Sequence, residues 1–387
     1  MIRRYGVSLV YRLSARQWAG LIAAALLLYN WQIFYLQYKK TYSGTFSRDI
    51  TVDRDKYGKL PVRVVVIQAD YSHTSEYILP QSTLHCYCAF HNYTLVDINL
   101  ARDAKYAQLC AGKDFMFRRH CVLSHYMAQH PEAKWILALD ADMGVINPNR
   151  LLEEFLKTTN DVVFYDRLFN YEIMAGSFIL RNTEFARNFL TTWSEYENKV
   201  PDSFHGTDNG ALHKVLLDEF APNASPGEST VCQNLWNTSK DYDDLFVFES
   251  CVRSILGFRN VLESKQGSVR ILSSSSGYWA RDGWQTENYW SDEDFILHGW
   301  QERRREFVDL FAWWISPFAV EDFPIEKCSN KHENPGKFWI YKAYTHQPVE
   351  YIRSILISTA TASYNDHLLR LKKVGQVRSD FAKRLSL

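Results

Sequence analysis

The 387-residue chain is long enough to bury a full core as one large domain with appendages. Its 44 Lys and Arg balance 44 Asp and Glu, so no net field draws it towards nucleic acid or an acidic partner, and partners must be argued from sites. With 46% hydrophobic and 15% aromatic residues it is not a disordered chain.

The first expected element lies at 17–38, where no charged residue occurs and the run AGLIAAALLLYNWQIFYL is long enough to cross a bilayer as a helix. Arg3, Arg4, Arg12 and Arg16 precede it and Lys39 and Lys40 follow. That bias favours a cytosolic tail at 1–16, a single-pass type II signal anchor at 17–38 and a lumenal body. Trp18, Trp31 and Tyr35 suit the interfacial belts, and only Asn30 and Gln32 weaken the run. A cleaved signal peptide fits less well, because the run is long and lacks a small-x-small exit; a buried core helix is the third reading. A lumenal body would make glycosylation acceptors of Asn92-Tyr93-Thr94, Asn223-Ala224-Ser225 and Asn237-Thr238-Ser239. All seven cysteines lie beyond the run, where disulfides would be permitted, and an odd count leaves at least one without an intrachain partner. Cys86 and Cys88 with His85 hint at zinc, but no second ligand pair follows at finger spacing, so a structural role is expected.

Residues 39–60 are polar and aperiodic, the pattern of a stem. After Pro61, the β-branched run at 62–67 predicts a strand buried on both faces. A helix is expected at 75–91, a strand at 93–98, a helix at 114–129 with Phe115, Val122, Leu123 and Tyr126 near one face, and a third strand at 134–139. That order makes a nucleotide-binding half-domain of α/β class, in which ligands sit beyond the carboxyl ends of the strands. Strands at 161–165 and 177–180 follow, then a helix at 183–196 capped by Asn182 or Thr183, and another opening at 206–210. Residues 222–245 read as an exposed loop and 273–276 as a low-complexity patch. After His298 the pattern is mixed, with Arg303-Arg304-Arg305, Trp313-Trp314 and a basic tail.

The chemistry concentrates at Asp140-Ala141-Asp142, which follows five apolar residues of the third strand. Alternation along an extended segment puts both carboxylates on one side, where their repulsion calls for a cation. A hard divalent ion, Mn²⁺ or Mg²⁺, is the natural occupant and would bridge carboxylate and phosphate oxygens. A phosphatase with an Asp nucleophile also places Asp-x-Asp after an apolar strand, but wants Thr or Val where Gly144 stands. Four more segments stand out: Phe117-Arg118-Arg119, the Gly176 strand with Glu172 before it, Thr207-Asp208-Asn209-Gly210, and Phe295-Ile296-Leu297-His298-Gly299. By themselves these permit plainer roles: a solvated Arg119, a bulge at Gly176, an N-cap at Asp208, a structural His298.

Together these segments resemble the nucleotide-binding region of GT-A glycosyltransferases over about 61–300. They are similar to the retaining Golgi family of α-galactosyl-, α-mannosyl- and α-xylosyltransferases, and more closely to an uncharacterised nematode-expanded family of nucleotide-diphospho-sugar transferases. The resemblance implies a GT-A fold, a Rossmann-like mixed sheet, with 301–387 as a C-terminal extension. It implies that Asp140, Asp142 and His298 ligate the metal, the imidazole tilting the choice towards Mn²⁺. It implies that Arg119 supplies a cation near the donor and that Gly176 lets backbone approach the sugar. Asp208 would bind sugar hydroxyls or stabilise the oxocarbenium charge beside Asn209, which stands where those families carry Gln; Glu172 is a second carboxylate that could face the anomeric carbon. Where they carry Gly-x-x-Lys-Pro this chain reads Gly299-Trp300-Gln301-Glu302-Arg303, so Arg303 or Arg304 would meet the diphosphate. Tyr278, Trp279, Trp284, Tyr289 and Trp290 would stack an acceptor glycan or close as a lid.

The expected function is a metal-dependent hexosyl- or pentosyltransferase of the Golgi lumen. It would move sugar from a UDP- or GDP-sugar to a glycan or glycoprotein acceptor, with retention implied by the resemblance alone. No nucleic-acid partner is expected. The alternative is a lumenal nucleotide-sugar- or glycan-binding protein that keeps the fold without turnover.

Overall fold

The computed structural model describes residues 15–42, 44–52, 60–68, 74–224, 226–273, 278–305, 313–330 and 333–385. The tail at 1–14, Ser225 of the second sequon and 274–276 of the low-complexity patch lie outside the described residues.

Helix α1 (Ala15–Tyr42) takes up the apolar run, with Leu27 70% and Trp31 65% exposed. The expected membrane crossing at 17–38 is not supported: among the described residues no helix is long and apolar enough to cross a membrane. Asn30, whose side-chain amide donates to the Leu26 carbonyl at 2.8 Å, and Gln32 interrupt the run with polar groups. Strand β1 (Thr45–Phe46) lies within the segment assigned to the stem and pairs antiparallel with Tyr341–Lys342 near the other end of the chain.

The expected alternation then follows, with one helix, α3, that was not expected: β2 (Val62–Gln68), α2 (Ile78–His91), β3 (Thr94–Asn99), α3 (Ala104–Leu109), α4 (Phe115–Gln129) and β4 (Trp135–Leu139). Asp114 caps α4 by accepting from Met116 N at 2.8 Å, and Phe117, Val122, Leu123 and Tyr126 are its buried face. Next come β5 (Met143–Val145), β6 (Val162–Tyr165), β7 (Ser177–Arg181), α5 (Glu184–Glu195) and α6 (Thr207–Phe220). Thr183 is the cap of α5, its side chain accepting from Ala186 N. The remainder is α7 (Pro226–Asn237), α8 (Tyr242–Ile255), β8 (Val261–Glu263), β9 (Ser268–Leu272), β10 (Ala280–Asp282), β11 (Ile296–His298), α9 (Ile325–Cys328), β12 (Tyr341–Lys342) and α10 (Val349–Leu385).

Seven strands form one mixed sheet in the order β3-β2-β4-β7-β6-β9-β8. β3, β2 and β4 are parallel neighbours, and β7 runs antiparallel to both β4 and β6. β4 is buried throughout, which is why it reads as an unbroken apolar run. Its alternate side chains serve two cores. Ile136 and Ala138, with Val65, pack under α4 to α8. Trp135, Leu137 and Leu139, with Val64 and Val66, pack against α2 and the C-terminal segment.

Three short strands, β10-β11-β5, make a second sheet at the carboxyl end of β4. The loop expected at 222–245 is instead α7 and the start of α8. Most of its polar residues face out, while Val231, Cys232, Trp236 and Ser239 are buried, Trp236 stacking on Phe248 at 4.8 Å. The aromatic cluster also departs from an open sugar platform. Trp279 and Trp290 are each 1% exposed, and the Trp279 indole donates to Ser177 Oγ at 2.7 Å; Trp284 and Tyr289 are half-buried. Disulfides join Cys86 to Cys328, Cys110 to Cys121 and Cys232 to Cys251, leaving Cys88 as a buried free thiol. The structural role expected for Cys86 is thus the tie between α2 and α9, and α10 packs along α7 and α8.

Candidate metal and diphosphate site

β4 delivers Asp140 to the carboxyl edge of the parallel strands, and the turn after it reverses the chain into β5. β5 pairs antiparallel with β11, setting His298 opposite Met143 and so beside Asp142; β10 runs parallel on the far side and sets Asp282 opposite His298. Two residues apart in sequence and one distant residue thereby meet. Ligand atoms of Asp140, Asp142 and His298 all lie within 4.8 Å of one another. A second grouping, Cys110, Cys121 and His125, has its two sulfurs joined in a disulfide and offers no thiolate.

Each member is held. Asp142 Oδ1 is 3.4 Å from His298 Nε2, and its Oδ2 accepts from Gln301 Nε2 at 2.7 Å. Its carbonyl accepts from Gly299 N at 3.2 Å and Trp300 N at 3.0 Å, so the chain folds back around it. Gly299 makes that return with φ at +101°, a conformation that L side chains rarely adopt. Asp140 N donates to Gly176 O at 2.8 Å, and a Cβ on Gly176 would lie 2.3 Å from Asp140 Oδ2. The close approach that Gly176 permits here is that of the aspartate itself.

The electrostatics separate the pair. Burial and the nearby Asp142 raise the Asp140 carboxyl above its ordinary range, against the pull of Arg119. Burial also works against Asp142, but His298 and the Gln301 hydrogen bond bring it below that range. Burial opposes charge on His298, yet Asp142 and Asp282 lift it to about 10. The same two carboxylates that favour a proton on His298 would favour a divalent ion held by all three groups, which would take the place of the Nε2 proton because a ligating imidazole is neutral. Two carboxylate oxygens and an imidazole nitrogen converging at one cleft are a fitting donor set for Mn²⁺.

The site opens into a cleft of about 340 Å³ lined by Ile67, Gln68, Tyr77, Phe115, Met116, Arg119, Asp140, Ala141, Asp142, His298, Gln301 and Arg303. Arg303 is exposed at its rim, whereas Arg304 is not among its lining residues. Arg119 is 9% exposed and ion-paired twice, to Asp140 and, through Nη2 at 2.6 Å, to Asp208. Asp208 is fully buried as the second residue of α6, with Gly206 in the cap position. It accepts from Arg119, from His120 Nε2 at 2.9 Å and from Thr207 Oγ1 at 3.2 Å. Asp208, the half-buried Asn209 and Glu172 do not line the cleft. Glu172 is 3% exposed, its carboxylate taking Arg167 Nη1 at 3.1 Å and Asn170 Nδ2 at 3.4 Å.

Sequence reasoning missed Gln301, Tyr77, His120, Asp282 and Arg167. Gln301 was within reach as the third residue after His298; Asp282 becomes visible only once β10 is registered against β11.

Among solved structures, the chain is similar at 18% identity and a TM-score of 0.29 to a glycosyltransferase involved in the glycosylation of the major capsid of PBCV-1, over 36% of this chain and 68% of that one. It is similar at 13% identity and a TM-score of 0.26 to the galactosyltransferase LgtC in complex with donor and acceptor sugar analogs, over 57% of this chain and 90% of that one. No curated protein matches the sequence. Residues 84–310, more than half of the chain, match the family described as "Protein of unknown function, DUF273", and the chain belongs to that family.

Proposed function

We propose that the chain is a metal-dependent glycosyltransferase of GT-A type, moving a hexose or pentose from a nucleotide-diphosphate sugar to a glycan or glycoprotein acceptor. The observation that carries this reading is the convergence of Asp140, Asp142 and His298 at the mouth of a cleft beyond the carboxyl ends of parallel strands. Asp140, Asp142 and His298 would hold Mn²⁺, or Mg²⁺, which when bound offsets the charge developing on the leaving diphosphate. Arg303 at the rim and Arg119 at the floor add fixed positive charge on the same side. Ile67, Phe115, Met116 and Tyr77 offer apolar and aromatic wall to a nucleoside. Retention of configuration follows from the sequence resemblance alone. Three disulfides and the exposure of Asn92, Asn223 and Asn237 support a lumenal setting in the secretory pathway, the Golgi by resemblance.

One observation favours a second reading, a non-catalytic lumenal nucleotide-sugar- or glycan-binding protein. Asp208, the carboxylate expected beneath the sugar, is fully buried and engaged by Arg119 and His120. The two readings part in a donor-hydrolysis assay with Mn²⁺ across UDP- and GDP-sugars, with wild type and Asp142→Ala compared. Transferase chemistry predicts nucleotide release from at least one donor, reduced at least about 100-fold in the variant. No turnover with any donor, together with metal-independent binding, would establish the second reading instead.

A further inference from the structure

Asp282 is 5% exposed and sits on β10 in register with His298 on β11. Its Oδ1 accepts from His298 Nδ1 at 2.8 Å and from Arg167 Nη2 at 2.6 Å, and its Oδ2 accepts from Arg167 Nε at 3.2 Å. Arg167 places its other terminal nitrogen on Glu172 at 3.1 Å, and Asn170 steadies Glu172 in turn. A continuous chain of ion pairs, buried at Glu172 and Asp282 and partly buried at Arg167 and His298, therefore runs from Glu172 to the imidazole.

We propose that Asp282 is a positioning residue that fixes the tautomer and ring orientation of His298 for metal ligation, with Arg167 and Glu172 fixing Asp282. The proposal rests on the metal reading above. An acceptor at Nδ1 keeps the proton there and turns Nε2 towards Asp142, 3.4 Å away, into the ligand cluster. Arg167 approaches the carboxylate with two nitrogens, a geometry that a lysine cannot reproduce. Glu172 thus acts on the site from behind, without lining the cleft.

The test is Mn²⁺ titration of the full chain without nucleotide, read by the electron paramagnetic resonance signal of free Mn²⁺. The proteins are wild type, Asp282→Asn, His298→Ala and the double variant, with folding checked by circular dichroism. Asp282→Asn is expected to weaken Mn²⁺ binding about 10- to 100-fold. In the His298→Ala background the same substitution should change affinity by less than about twofold, because the residue through which it acts is gone. Arg167→Lys is expected to give a smaller loss with the same dependence on His298, and it carries the comparison if Asp282→Asn does not fold. Equal losses in both backgrounds would make Asp282 merely structural and overturn the proposal, as would wild-type affinity in Asp282→Asn. Wild-type protein that binds no Mn²⁺ would remove the metal reading and this proposal together; wild-type binding left intact by Asp282→Asn removes only the latter.

Discussion

Asp140 and Asp142 stand two residues apart, yet their surroundings move them in opposite directions: burial and Asp142 raise Asp140, whereas His298 and Gln301 hold Asp142 down. Gly176 is what allows Asp140 its place, so Gly176→Ala should displace the carboxylate. We expect that variant to lose Mn²⁺ affinity, and unchanged affinity in the same titration would show that Asp140 is not a ligand. A second prediction concerns His120, stacked on Trp193 at 3.5 Å and held near 4 by burial, despite its hydrogen bond to Asp208. Its folded value lies below the ordinary 6.5, so the unfolded chain takes up a proton first as pH falls. Its contribution to stability is complete above about 6.5 and is lost between there and about 4. Urea unfolding at pH 7 and pH 5 should show wild type losing up to about 1.4 kcal/mol per pH unit more than His120→Gln. Parallel losses would contradict this. At this scale the aspartate pair stood out from its apolar flank, because paired charges at the end of a buried strand need a reason, whereas His298 was joined to it through the family resemblance. Asp282 was not, because an Arg-Asp-Gly among aromatics carries no sign of what lies across the sheet.

The elements that build the site are short, and their packing is tight. β5 owes its position to Gly144, where a Cβ would sit 2.3 Å from the Trp300 ring. Trp300 is fully buried, stacks on Trp314 at 5.7 Å and donates to Asn288 Oδ1 at 2.6 Å. Gly144→Ala should therefore cost about 1–3 kcal/mol by overpacking, measured by urea unfolding; a neutral result would mean that the ribbon yields more easily than its packing implies. Gly144, which argued against a phosphatase in the sequence, has this packing as its physical cause. The alternation of strands and helices to β4 was readable from β-branched runs buried on both faces. α7 was not, because Pro, Asn, Ser and Asp crowd its neighbourhood and its helical character rests on a few inward residues and the Cys232–Cys251 tie. Likewise the aromatic content at 278–290 read as either a sugar-stacking surface or a buried lid, and Trp279 and Trp290 are buried in the core around β10 and β11.

The whole molecule is tied together by contacts between its ends. β1 pairs with β12, the Cys86–Cys328 bond spans 242 residues, and α10 lays Val374 and His367 into the helical layer. None of these could be read from local pattern, since each depends on partners far along the chain. Cys328→Ser should lower stability by about 2–5 kcal/mol in chemical unfolding while leaving Mn²⁺ affinity unchanged, because neither Cys86 nor Cys328 belongs to the ligand cluster or lines the cleft. Loss of metal binding in that variant would show that the C-terminal segment shapes the site itself. The central claim is that Asp140, Asp142 and His298 hold a cation against a nucleotide diphosphate. Its most direct test is a crystal structure with Mn²⁺ and UDP, the metal located by its anomalous scattering. The account predicts one Mn²⁺ bound by those three residues and bridged to the diphosphate, with the uridine in the cleft beside Tyr77 and Phe115. A metal elsewhere, or UDP bound away from Asp142, would contradict it.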